Sequence, residues 1–133
     1  MKVEDIEGIG PAYAAKLQEA GVRTSDDLLA QAGPKAGRDA LAAKTEISAK
    51  LLLEWANACD LMRINGIGSQ FSDLLEAAGV DSPAELAQRN AANLAATFAE
   101  LNAARATTRR APTEAMVADW IEQAKKLDKA VTH

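Results

Sequence analysis

Residues 6–32 read IEGIGPAYAAKLQEAGVRTSDDLLAQA, and residues 64–90 read INGIGSQFSDLLEAAGVDSPAELAQRN. The two stretches align at an offset of 58 without a gap. Nine of 27 positions are identical: Ile6/Ile64, Gly8/Gly66, Ile9/Ile67, Gly10/Gly68, Leu17/Leu75, Ala20/Ala78, Gly21/Gly79, Val22/Val80 and Leu28/Leu86. Tyr13/Phe71, Thr24/Ser82 and Asp27/Glu85 are conservative pairs. Six of the chain's eight glycines fall in these matches, a placement that chance does not produce. The chain is an internal duplication. A looser match joins residues 48–62 (SAKLLLEWANACDLM) to 113–127 (TEAMVADWIEQAKKL) at an offset of 65, pairing Trp55 with Trp120. The offset has grown by seven, which puts an insertion between Asn90 and Pro112.

The periodicity around these stretches is helical. Pro11 suits a first helical position, and Gly21 suits the left-handed residue after a helix that ends near Ala20. Thr24 with Asp27 three residues on is a capping-box variant. Gly33-Pro34 ends that short helix and starts another through about Ala43. A longer helix opens at Thr45 or Ser48 and runs to about Met62. The second copy predicts helices over 69–78, 83–89, 91–104 and 113–130, with Ser82-Pro83 as cap and first helical residue. Residues 105–112 (RATTRRAP) read as a loop. Composition agrees. Of 133 residues, 30 are alanine and only 4% are aromatic, which favours helix over sheet. The length suits one compact domain or two very small ones.

A tight turn between two helices needs backbone angles that side chains obstruct. In Ile-x-Gly-Ile-Gly the first glycine permits the turn. The second lets backbone approach something closely, or lets the helices pack. The isoleucine between them can point into the core. The helix after the second glycine begins with unpaired N–H groups and the positive end of its dipole. A phosphate can sit there without a lysine or arginine. Gly8, Ile9 and Gly10 form the first such turn, with Lys16 about two turns into the following helix. Gly66, Ile67, Gly68 and Ser69 form the second, flanked by Arg63 and Asn65. Arg105, Arg109 and Arg110 are the one basic cluster, and they read as a phosphate-backbone contact, as a contact to a partner's acidic patch, or as a solvated loop.

The pattern resembles the helix-hairpin-helix superfamily in its paired form. It is also similar to the helix-three-turn-helix element of flap-endonuclease-like proteins. Over essentially its whole length, including CDLMRINGIG before the second turn, the chain resembles a family of small bacterial proteins known only as a domain of unknown function. The superfamily resemblance implies non-specific binding of the DNA backbone through Gly66, Ile67 and Gly68 and, by the same motif, Gly8, Ile9 and Gly10.

The expected architecture is all-α: one tandem domain over 1–133, with pseudo-symmetric helix-hairpin-helix units at about 1–62 and 63–133. The first unit has only Met1–Glu7 before its turn, too short for a stable helix alone. The Trp120 helix is therefore expected to pack back on the first unit and supply the missing partner. Trp55 and Trp120, with Tyr13 and Phe71, read as core. Cys59 reads as buried and inert, since no nearby cation would lower its pKa.

Catalytic chemistry is missing. The lone histidine, His133, rules out a histidine-dependent triad, and no Cys/His spacing fits zinc. No P-loop lysine follows a glycine run. Glu4, Asp5 and Glu7 read as a solvated acidic N-terminus rather than a nuclease centre. A non-enzyme without cofactor, metal or small-molecule substrate is expected. A single cysteine points to a reducing, cytoplasmic setting. Met1–Asp5 has no signal-peptide h-region, and no stretch is long and apolar enough for a membrane span. Two functions remain: weak, sequence-independent binding of duplex DNA, or a protein-interaction adaptor that kept the hairpin fold. The paired turns favour the first. The net charge of −4 favours the second.

Overall fold

Helix starts are set by single side chains a few residues apart, and each is visible in the hydrogen bonds. Thr24 Oγ1 accepts from the Asp27 amide at 3.1 Å, while Asp27 Oδ2 accepts from Thr24 at 3.2 Å and from Arg23 at 3.1 Å. These amide bonds, the Arg23 one foremost, hold the Asp27 carboxyl below its ordinary pKa. Ser48 accepts from Leu51, Ser82 from Glu85, and Thr113 from Met116, each at 3.2 Å. Asn90 Oδ1 accepts from Asn93 at 3.0 Å. In each case one orphan amide of a first turn finds a local oxygen.

A computed structural model describes residues 1–105 and 110–133, with the backbone alone for Arg105. Its helices are α1 (Pro11–Glu19), α2 (Ser25–Ala32), α3 (Lys35–Thr45), α4 (Ala49–Leu61), α5 (Ser69–Ala77), α6 (Pro83–Ala87), α7 (Ala91–Arg105) and α8 (Glu114–Lys125). A 3-10 turn covers Val3–Asp5. Among the described residues the β pairing is one isolated bridge, Lys2 to Thr24. The fold is all-α. Of the loop expected over 105–112, residues 106–109 lie outside the described residues.

The chain divides into two compact units. The first is Met1–Asp60 with Lys129–His133, and the second is Leu61–Asp128. The boundary lies two residues before the repeat boundary read from the sequence. The last five residues go with the first unit.

The first unit buries Val3, Ile6, Ile9, Leu17, Leu28, Leu52 and Trp55. The second unit has one core of Ile64, Ile67, Leu74, Leu75, Leu86, Phe98, Val117 and Trp120, among others. Its α8 lies against α6 and α7, and α5 against α7. Val117, Trp120, Ile121 and Ala124 are the buried face of α8, at helical spacing.

This corrects the expected closure. The Trp120 helix does not complete the first unit; it belongs to the core of the second, with Ile64 and Ile67. The first unit has a tryptophan helix of its own, because Trp55 on α4 meets Tyr13 on α1 with ring centroids 5.2 Å apart. Trp120 meets Phe71 in the same way at 5.3 Å. The helix that completes each turn comes from downstream in its own unit. The physical reason is that the whole apolar face of α8, Val117, Trp120, Ile121 and Ala124, is buried in the core of the second unit, while Trp55 already backs the first turn.

Candidate nucleic-acid interface

Each turn is anchored by two isoleucines and closed by one amide. Ile6, Ile9, Ile64 and Ile67 are all buried. The Ile9 amide donates to the Ile6 carbonyl at 3.1 Å, and the Ile67 amide donates to Ile64 at 3.1 Å. With the isoleucines turned inward, the glycines between and after them face outward, and Gly8, Gly10, Gly66 and Gly68 are exposed.

The two glycines of each turn do different work. Gly8 and Gly66 have φ of 89° and 99°, which L side chains rarely adopt. A Cβ on Gly66 would also stand 2.9 Å from Trp120 Nε1, whereas one on Gly8 would be 3.8 Å from Trp55 Nε1. The first glycine therefore serves the turn and the indole packed on it. Gly66→Ala is expected to cost about 2–3 kcal/mol, from left-handed strain plus displacement of the indole. Gly8→Ala should cost about 1–2 kcal/mol, from strain alone. Urea denaturation followed by circular dichroism checks the order, and equal midpoints for the two variants would reject the role given to Trp120.

Gly10 and Gly68 carry no such burden. Their φ values are −78° and −97°, open to any residue. Among the described residues, the chain neighbours aside, no atom lies within 4 Å of where a Cβ would be. The sequence left two roles for the second glycine, close backbone approach or helix packing, and at neither position would a Cβ meet a packed helix among the described residues. Both glycines are N-caps, of α1 and α5, and neither brings a side-chain acceptor to the first turn. Their own carbonyls accept the first intrahelical bonds, from Ala14 and Ser72 at 2.9 Å each. Pro11 at the first position of α1 has no N–H, so that turn presents the amides of Ala12 and Tyr13. The corresponding residues of α5 are Gln70 and Phe71.

The charged candidates are distributed less favourably. Arg63 is half-buried, and its guanidinium donates to the Asp128 carbonyl at 2.7 Å. Asn65 is clasped by α8: its amide donates to Gln123 Oε1 at 2.9 Å, and Gln123 Nε2 donates back to its carbonyl at 3.2 Å. Lys16 lies away from the turn. It lines an open groove of about 400 Å³ with Glu19, Ala20, Lys44, Thr45 and Glu46. Ser69 is half-buried beside Gly68, and Arg110 is exposed. Arg109 and the Arg105 side chain lie outside the described residues. Geometry thus brings together Gly8, Ile9 and Gly10 at one helix start, and Gly66 to Ser69 at another; among the described cations, Lys16 lines a separate groove and Arg63 is engaged by the Asp128 carbonyl.

Tyr13 departs from the core role expected for it. Its ring packs edge-on to Trp55, yet the residue is 37% exposed beside Gly10. Phe71, its partner by repeat, is half-buried. Cys59 is buried, and burial foremost, with Asp26 and Asp60 adding to it, pushes its thiol up to about 12. Among the described residues no group of three Asp, Glu, His or Cys side chains is placed to hold a metal ion. No helix of the described residues is long and apolar enough to cross a membrane.

The pairing of each tryptophan with a turn glycine is what the sequence reading missed. Its signal was present in the Trp55/Trp120 alignment, which makes a tryptophan helix the last element of each repeat. A family model for a domain of unknown function, DUF4332, matches residues 7–127. The chain belongs to this family. The match begins one residue before the first turn glycine and ends two residues after α8, so the DUF4332 unit contains both turns and both tryptophan helices. No curated protein and no solved structure matches the chain.

Proposed function

We propose that this chain is a non-catalytic module whose two glycine turns are helix-hairpin-helix elements. In this reading they hold phosphate oxygens of duplex DNA weakly and without reading sequence. The observation that carries the reading is the second glycine. Among the described residues neither dihedral angle nor packing requires glycine at 10 or 68. What glycine preserves there is a bare approach to the first amides of α1 and α5. Those amides and the dipole behind them suit an anionic oxygen. Contacts of this kind fix position and carry no base information. The repetition of the same local geometry 58 residues apart fits a ligand with repeated phosphates.

Fluorescence anisotropy with a labelled duplex tests this at two salt concentrations. Binding is expected at low salt, and raising salt from 50 to 200 mM should weaken it about tenfold if two phosphates release counterions. A second reading, a protein-interaction adaptor, is favoured by the internal engagement of Arg63 and by the net charge of −4. Absence of binding at low salt would leave that reading alone.

A further inference from the structure

The last five residues pack on the first unit in a way that specifies chemistry. Val131 is buried at 6% exposure, while Lys129, Thr132 and His133 are exposed. The Thr132 amide donates to the Gly33 carbonyl at 2.9 Å. Arg38, buried on α3, donates to the Thr132 carbonyl at 2.7 Å and to the carbonyls of Ala32 and Gly33 at 3.0 and 2.9 Å. The N-cap of α3 is Pro34, which offers no side-chain oxygen. Thr132 Oγ1 supplies one instead, accepting from the Lys35 amide at 2.9 Å. A side chain on Gly33 would run into the Ala130 carbonyl.

From these contacts we infer that the cleft between the end of α2 and the start of α3 is a peptide-recognition site. It reads an extended segment in which a β-branched apolar residue is followed by threonine or serine, and the chain's own tail occupies it as an intramolecular competitor. Each requirement has a cause. One apolar side chain is buried at the position of Val131. The uncapped start of α3 takes a hydroxyl. The buried guanidinium needs a carbonyl, because without one a desolvated cation loses an acceptor. The bare backbone at Gly33 lets the carbonyl of the residue before the apolar anchor lie close, where a Cβ would collide with the Ala130 oxygen. Tethering gives the resident tail an effective concentration in the millimolar range, and a partner must exceed it.

The test uses the 133-residue chain with Val131→Asp, which releases the anchor, and a synthetic peptide of residues 128–133 (DKAVTH). Amide shifts of Gly33, Lys35 and Arg38 are followed by NMR during titration. Saturable shifts are expected in the variant, with binding at least about tenfold weaker to the wild-type chain, whose tail competes. A peptide carrying aspartate in place of valine should leave the spectrum unchanged. A second chain, with residues 129–133 replaced by Gly-Ser-Gly-Ser-Gly, serves if the aspartate variant does not fold. A folded, tail-released chain that gives no shifts overturns the proposal. So do equal shifts from both peptides, or equal affinity for wild-type and released chains.

Discussion

Trp120→Ala is expected to cost the second unit about 3–5 kcal/mol, the range for removing a buried aromatic from a packed core. The indole is 2% exposed and lies between Phe71 at 5.3 Å and Phe98 at 6.5 Å, ring centre to ring centre. It also backs the Gly66 turn. Removing it leaves a cavity that Ile64 and Ile67 of the turn and Val117 of α8 cannot fill without backbone movement. Domains of this size hold about 5–15 kcal/mol in total, so the loss is a large share. With a urea m value of about 1–3 kcal/mol/M, the transition followed by circular dichroism should fall by roughly 2 M. Trp120→Phe, which keeps a ring against Phe71, should lose much less. A midpoint within error of wild type for the alanine variant would contradict the packing described for α8.

The second large effect concerns binding and should leave the fold intact. Gly10→Asp with Gly68→Asp places a carboxylate at the N-cap of α1 and of α5. Both positions are extended, with φ of −78° and −97°, and both have open space where the new side chain begins. Aspartate is among the strongest N-caps, so helix stability should hold or rise by a few tenths of a kcal/mol. The same carboxylate occupies the amides a phosphate would use and repels it. Duplex binding at low salt should fall at least tenfold, toward the detection limit, with thermal unfolding unchanged or higher. Glycine turns that bind nothing would show no change in anisotropy between wild type and variant. The open geometry at both sites is the reason the fold is expected to persist in the double variant.

Some of this was legible along the chain because its causes are local. Thr24 with Asp27, and Ser82 with Glu85, act across three residues, so their helix starts could be read from spacing. The turn glycines Gly8 and Gly66 could be read because a positive φ excludes side chains regardless of what surrounds it. The burial of Trp55, Trp120 and Cys59 follows from their apolar neighbours. Nothing in the sequence marks Glu46, which ends α3 with φ of 63° where glycine is usual. Exposure of Tyr13 was equally hidden, since the same helical spacing serves a core face and a rim.

The repeat, the all-helical class, the places where helices begin and the backbone demand for Gly8 and Gly66 were determined by the sequence alone. Those properties come from bonds and sterics spanning a few residues. Tertiary structure alone decided that α8 serves the second turn rather than the first, that Gly10 and Gly68 face open space, and that the final residues return to Arg38. Such choices depend on which apolar surfaces fit which cavities across long loops, and a helix with one buried face can satisfy that face against more than one neighbour until the volumes are compared.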